Sequence, residues 1–384
     1  MRTKALMWTL ALATAGAGCG KKDDGKSPAS GGPTKPTGSA APAAPQRPSQ
    51  LPMATMPARA PAPTEPAKLV EVALGRKLFL DPRLSVDGSR SCYSCHQNEQ
   101  GTGGKDPKAI GAGDKPLPRH SPMLWNVAAQ QGAFYWDGRS PSLEAQAKAA
   151  WAGGNMGVGT EEGKLDAKAA EIAKLADYKA AFAAAYPNTP VTADVIVGAI
   201  AAFEATLVCD DTAYDKYAAG DKTAMTEEQL RGYDVFAGKG GCMTCHAPPY
   251  FSTSFAVPGG AYFNAGLGTE AAEPDVGRMA VTKEESDWGA MKPPSLRNIT
   301  KTAPYFHDGS AATLDDALKV MTTGGIANKN KSPLLVDRQL TAAELADLKA
   351  FLGALECGGA IDTTDVTFGS KAGQVSLETG LVTP

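Results

Sequence analysis

The sequence predicts a mainly α-helical protein in which two similar domains follow one another. Three observations predict it. A cysteine–histidine cluster occurs twice, as "CYSCH" (Cys92, Cys95, His96) and "CMTCH" (Cys242, Cys245, His246). Matching stretches flank each cluster, a repetition internal to the chain. Segments of helical periodicity lie between them, among them "AAEIAKLADYKAAFAAAY" and "ADVIVGAIAAFEATL".

The chain opens with a targeting segment. Arg2 and Lys4 precede "ALMWTLALATAGAG", an apolar run too short for a membrane span that ends in small residues. Residues 1–18 therefore read as a signal peptide. With Cys19 directly after it, the pattern resembles a bacterial lipoprotein signal, in which Cys19 becomes the acylated first residue and anchors the chain to a membrane. Gly16 departs from it, standing where that signal usually has Leu. Cleavage and secretion without a lipid is the alternative, and either route leads out of the cytoplasm, to the periplasm. Residues 19–66 are dominated by Pro and Ala with almost no large apolar side chain. They bury too little surface to offset the entropy of ordering, and read as a disordered tether.

The folded part is expected as two domains, 67–215 and 216–360. Each begins with an amphipathic helix in which Gly is followed by Phe one turn later, "LGRKLF" (74–79) and "LRGYDVF" (230–236). The cysteine–histidine cluster follows, then a Pro-x-Leu-x-Asn segment, "SPMLWNVA" (121–128) and "PPSLRNIT" (293–300). An Asp-Gly turn comes next, "YWDGRSPSL" (135–143) and "YFHDGSAATL" (305–314), and then a helix. Cys209 and Cys357 both end helix-like stretches. Outside the cytoplasm they read as a disulfide, with two buried thiols as the alternative. The polar stretch 361–384 has no assigned place. A net charge of −3 with no basic stripe argues against a nucleic-acid partner.

Two thiols and an imidazole within five positions suit a zinc ion, a redox disulfide or a haem. Zinc sites built on two cysteine pairs do not carry His beside both. A thioredoxin-like pair needs a βαβ setting that neither flank shows. C-x-x-C-H is the attachment pattern of c-type haem. Thiols at i and i+3 share one side of a helical turn and reach the two vinyl groups, and the adjacent imidazole meets the iron. Two such clusters in one exported chain point to two covalently bound c-type haems.

At this level of detail the chain resembles the bacterial di-haem cytochrome c peroxidases, a family that includes the MauG-type enzymes. The resemblance rests on "GRKLFLDPRLS…SCYSCH", "WDGRSPSLEAQA", "FAGKGGCMTCH", "KPPSLRNITKTAPYFHDGS" and "TLDDALKVM", in that order. It implies two cytochrome c-like haem domains packed against each other, and electrons delivered by a small c-type cytochrome or cupredoxin. It implies reduction of hydrogen peroxide at one haem, and it allows a homodimer. His246 and Met321 would ligate the second haem, closing both faces and making it the electron-entry site; the MauG branch has Tyr in the place of Met321. His307 would lie near that haem without binding its iron. His96 would ligate the first haem, where peroxide reacts, and Trp136 would relay electrons between the two.

Two departures concern the first haem. The family's acid–base Glu falls on Asn155, which hydrogen-bonds but does not shuttle a proton near neutral pH. Glu161 and Glu162 are substitutes close in sequence, with a solvated loop as their blander reading. The family's blocking His falls on Ala112, which leaves the first haem open at rest, with His120, Met123 or Met156 as alternative sixth ligands. A structural calcium is also implied, with Thr302 and the Pro304 carbonyl as donors. The family's Asn donor falls on His120, a poor partner for calcium. Three functions follow: a peroxidase, a MauG-like oxidase of a partner protein, or a two-haem electron carrier without peroxidase activity.

Overall fold

The computed structural model describes residues 51–58 and 65–364. The expected signal peptide, Cys19, most of the expected tether and the tail from residue 365 lie outside the described residues. Five helices build the first half: α1 (Pro66–Leu80), α2 (Leu143–Ala152), α3 (Lys164–Ala173), α4 (Ala176–Ala185) and α5 (Ala193–Glu204). Five more build the second: α6 (Ala213–Ala218), α7 (Glu227–Ala237), α8 (Met279–Thr282), α9 (Leu314–Thr322) and α10 (Ala342–Gly353). Among the described residues there is no strand, only isolated bridges.

Local chemistry explains where the helices begin. Ser142 and Thr192 cap α2 and α5 by accepting the N–H groups of Ala145 and Val195. Thr212, Thr226, Thr313 and Thr341 each open a helix with a reciprocal capping box, closed by Asp215, Gln229, Asp316 and Glu344. Pro66 sits in the first turn of α1, where a missing N–H costs nothing.

The repeated Gly and Phe have a packing reason. In the first half α1 crosses α5 at Gly75, where an added Cβ would lie 1.9 Å from the Ala199 carbonyl oxygen. In the second half α7 crosses α10 at Gly232, where a Cβ would lie 1.9 Å from the Asp347 carbonyl oxygen. One turn on, Phe79 meets Phe203 edge-on at 5.3 Å and Phe236 meets Phe351 at 5.1 Å. Each half thus has its own core, the first around Leu78, Phe79 and Ile196, the second around Tyr233, Phe236 and Phe351.

The Asn of each Pro-x-Leu-x-Asn segment holds the chain that leaves the second crossing helix. Asn126 and Asn298 adopt left-handed backbone (φ 60° and 58°), which Asn tolerates better than most residues. The Asn126 amide donates to the Cys209 carbonyl and accepts the Cys209 N–H; Asn298 accepts the Cys357 N–H at 2.7 Å. So positioned, Cys209 and Cys357 form a disulfide between the halves, with Cα atoms 5.5 Å apart.

The two ends of the described chain depart from expectation. Residues 51–58, expected within the disordered tether, lie against the second core. Met53 packs there, and the hydroxyls of Tyr233 and Tyr214 donate to the carbonyls of Pro52 and Ala54 at 2.8 and 3.0 Å. Composition conceals this because the contacts use backbone carbonyls, which every residue carries. At the other end, Ile361 is buried in the first core and exchanges two hydrogen bonds with the Asn98 side chain. Tyr214 and Tyr217 of α6 belong to the second core, which places that helix with the second half, although the first domain was expected to run to residue 215.

The halves meet through their Asp-Gly turns. Tyr135 and Phe306 stand at matching positions with φ of 69° and 73°, each followed by the residue at the interface, Trp136 or His307. An added Cβ on Gly138 would strike the Tyr262 hydroxyl, and one on Gly309 the backbone of Pro107, so each turn presses on the opposite half. The backbone N–H of His120 donates to the His307 carbonyl (2.7 Å), and that of Lys292 to the Trp136 carbonyl (2.8 Å). Arg119 clamps the seam, bidentate to Asp275 of the second half and bonded also to Asp137.

Candidate functional site

The second site is a cavity enclosing about 1350 Å³ of space, its solvent-filled mouth included. Cys242, Cys245, His246 and Met321 all line it, with Leu267, Leu318 and Leu352 among the apolar walls. Met321 arrives on α9, fixed by the Thr313 capping box. The Nδ1–H of His246 donates to the carbonyls of Phe251 and Pro294, both at 3.1 Å. This leaves Nε2 with its lone pair free, the form that binds a metal. Burial lowers the imidazole pKa and keeps it neutral. Trp136, from the first half, and His307 also line this cavity, their rings edge-on at 6.3 Å. His307 Nε2 is buried without a hydrogen-bond partner, 3.7 Å from Asp275.

The first site repeats half of this plan. The Nδ1–H of His96 donates to the Thr102 carbonyl at 3.1 Å, and burial pushes its pKa down to about 4. Thr102 in turn accepts the Leu124 N–H through its hydroxyl, so the Pro-x-Leu-x-Asn segment holds the loop that orients the imidazole. The difference lies in the helix that follows each Asp-Gly turn. Counted from Leu143 and Leu314, the first residues of α2 and α9, Ala150 stands where Met321 stands in the second half. A methyl group offers iron nothing.

The loop beyond α2 brings the two departures together. The Ala112 N–H donates to the Asn155 carbonyl at 3.1 Å, and Gly111 approaches Gly154 too closely for any Cβ. The Ile110 carbonyl lies 3.8 Å from the Cys95 sulfur, so this loop pair adjoins the first cysteine–histidine cluster. Glu161 and Glu162 are exposed, as expected of a solvated loop. Met156 is buried in the first core, and Met123 packs against it. His120 is buried, with Nδ1 donating to the Asp106 carbonyl and its own carbonyl accepting the Trp136 indole N–H, both at 2.8 Å. Those bonds give it a structural place at the seam. The Thr302 hydroxyl donates to the Ile299 carbonyl at 3.2 Å, and its methyl faces the position of Gly101. No cluster of three acidic, His or Cys side chains suited to a metal occurs among the described residues.

Two residues escaped the sequence reading. Glu204, at the end of α5, matches Leu352 of α10, since both follow the Phe packed on the crossing glycine. It is buried, its Oε2 has no partner, and burial raises its pKa to about 8. Lys292 lines the second cavity, and burial lowers its pKa to about 8. Their visible signal was the internal alignment: in each case one half breaks the residue class of the other.

The donor sets fit covalent haem and not the other ligands. None of the four motif cysteines pairs in a disulfide, and burial raises Cys242 and Cys245 to about 11 and Cys92 further. No group of three metal-ligating side chains forms around either cysteine pair among the described residues, whereas a structural zinc takes four ligands. A deep apolar cavity with a neutral imidazole and a thioether in its wall is what a c-type haem requires.

Comparison with known proteins agrees. Residues 70–223 match the family model for di-haem cytochrome c peroxidase. The chain is 36% identical over 301 residues to a cytochrome c551 peroxidase of Nitrosomonas europaea, covering 76% of this chain and 84% of that protein. It is 34% identical over 290 residues to the methylamine utilization protein MauG of Methylorubrum extorquens, covering 74% and 78%. Among solved structures, a MauG-like protein associated with microbial copper homeostasis superposes with a TM-score of 0.70 at 31% identity, covering 84% of this chain and 98% of that one. The di-haem peroxidase BthA of Burkholderia thailandensis shares the fold, with a TM-score of 0.64 at 20% identity. With the motif order, the His246 and Met321 side chains in one cavity wall and these relatives in agreement, the chain belongs to the di-haem cytochrome c peroxidase family, a family of oxidoreductases.

Proposed function

We propose that this chain reduces hydrogen peroxide to water at the His96 haem, with electrons entering singly at the His246/Met321 haem from a small c-type cytochrome or cupredoxin. The balance is one peroxide, two electrons and two protons giving two waters. When bound, the haems supply electron storage and the iron that cleaves the O–O bond. The chain supplies the asymmetry between them, and the observation that carries the reading is the pair Met321 and Ala150. The second iron would have a side chain on each face; the first would have His96 alone. Trp136 spans the seam, with its backbone in the first half and its ring in the wall of the second cavity, and serves as the relay. Asn155 orients peroxide by hydrogen bonding while solvent delivers the protons.

Asn155 also favours a second reading, a two-haem electron carrier without peroxidase activity. The test is peroxide-dependent oxidation of a reduced small cytochrome by the holoprotein. Turnover that rises in Asn155→Glu supports the peroxidase. No turnover in either protein, with both haems bound, supports the carrier. A periplasmic location with a lipid on Cys19 completes the proposal, and acyl labelling lost in Cys19→Ser checks it. Calcium held by Thr302 and the Pro304 carbonyl, as the family resemblance implies, belongs to the same proposal.

A further inference from the structure

We propose that Lys292 is the counter-ion of a haem propionate and holds the acidic edge of the second haem against Trp136. This rests on the di-haem reading above. Lys292 lines the cavity that His246 and Met321 line. Its backbone N–H is fixed to the Trp136 carbonyl, so its side chain is rooted beside the relay indole. The Nζ donates to Gln130 Oε1 at 3.0 Å. Gln130 is itself held in place, its amide donating to the carbonyls of Gly132 and Ala133. That is one neutral acceptor for an ammonium with three donors, and no carboxylate pairs with Lys292 among the described residues. A partly buried ammonium so placed is costly to desolvate unless an anion joins it. The burial that lowers its pKa has the same origin.

The opposite half shows that the charge is not a by-product of the repeat. His120 occupies the matching position, its N–H bonded to the His307 carbonyl as that of Lys292 is to Trp136. It is a buried imidazole whose burial lowers its pKa, and its Nδ1 is spent on the Asp106 carbonyl. At this matching position the cation therefore occurs on the second side alone, in the cavity that His246 and Met321 line. The other cation of that wall, Arg338, is turned to the Leu334 carbonyl beside Gly241, next to the cysteine motif. A carboxylate paired with Lys292 keeps its negative charge within the seam, and the ammonium stabilises the reduced iron.

The experiment is a spectroelectrochemical titration of the holoprotein between pH 6 and 9, following the second haem. Lys292→Met is expected to favour the oxidised form at least tenfold, about 59 mV for one electron. Its midpoint falls as pH rises, because the unpaired carboxylate then takes up a proton on reduction. The wild type is expected to be flat over that range, and Lys292→Arg to behave like it. Gln130→Leu removes the neutral partner and keeps the cation, so haem content and midpoint stay unchanged. A wild-type midpoint and pH profile in Lys292→Met would overturn the proposal, as would a Gln130→Leu shift equal to that of Lys292→Met. Should Lys292→Met fail to fold, Lys292→Gln takes its place, with the same fall in midpoint expected and a wild-type midpoint and pH profile overturning the proposal. Failure of the di-haem reading would show separately, as fewer than two haems per chain in the wild type.

Discussion

Asn155 sets the speed expected at the first site. General acid–base help from a positioned side chain is worth roughly 10² to 10⁴ in rate. Asn155→Glu should therefore raise peroxide turnover by about that factor, measured under saturating electron donor. An unchanged rate would remove Asn155 from the peroxide side of the haem. Glu204 tests burial in the same half. Its folded-state pKa of about 8 lies above the ordinary carboxyl value. The folded chain then keeps a proton that the unfolded chain releases, so stability falls as pH rises from about 4.5 to 8. Glu204→Gln keeps the shape, removes the titration, and should gain about 1 to 3 kcal/mol at pH 8 with little gain at pH 4. Denaturant melts of the holoprotein at the two pH values check this; equal shifts at both would contradict it. The two cysteine–histidine motifs were legible in the sequence because covalent haem attachment demands fixed residue types at fixed spacing; Met321 was singled out through the family resemblance, and it lines the second cavity. Glu204 and Lys292 were not legible, because a buried charge looks like any surface charge until its helix or loop has been folded.

At the scale of the element, the repeated Gly-to-Phe spacing was legible as a repeat, and its reason was not. The reason is a helix crossing: Gly75 and Gly232 let α1 and α7 lie against the backbone of α5 and α10. Alanine ordinarily favours a helix over glycine by about 1 kcal/mol. Here Gly75→Ala and Gly232→Ala should each destabilise by about 1 to 3 kcal/mol, since the added methyl meets backbone that must move. Thermal melts of the two variants check this, and a stabilised variant would contradict the crossing. The α9 helix carries the other element-level prediction. Met321→Ala copies the Ala150 arrangement into the second half, and should convert the second haem from low spin to high spin and lower its potential. A low-spin second haem in that variant would exclude Met321 as its ligand.

At the scale of the whole molecule, two halves with the same plan meet at their Asp-Gly turns and are joined through Cys209 and Cys357, 148 residues apart. The pairing had been one of two readings of the leftover cysteines. It became definite only through Asn126 and Asn298, which hold the backbone of the two cysteines at equivalent places. Replacing both cysteines by serine should cost about 2 to 5 kcal/mol of stability. The docking of residues 51–58 on the second half was not legible, because proline-rich composition reports the lack of side chains to bury and says nothing about carbonyls offered to Tyr214 and Tyr233. What the repeat accomplishes is contrast. In the proposed function, one scaffold used twice would offer a thioether to one iron and no matching side chain to the other.

That contrast is tested most directly by electron paramagnetic resonance of the resting, oxidised holoprotein before and after one equivalent of peroxide. The account predicts one low-spin and one high-spin ferric haem, with the high-spin signal lost on reaction with peroxide and the low-spin one retained. Two low-spin haems that ignore peroxide in every redox state would contradict it.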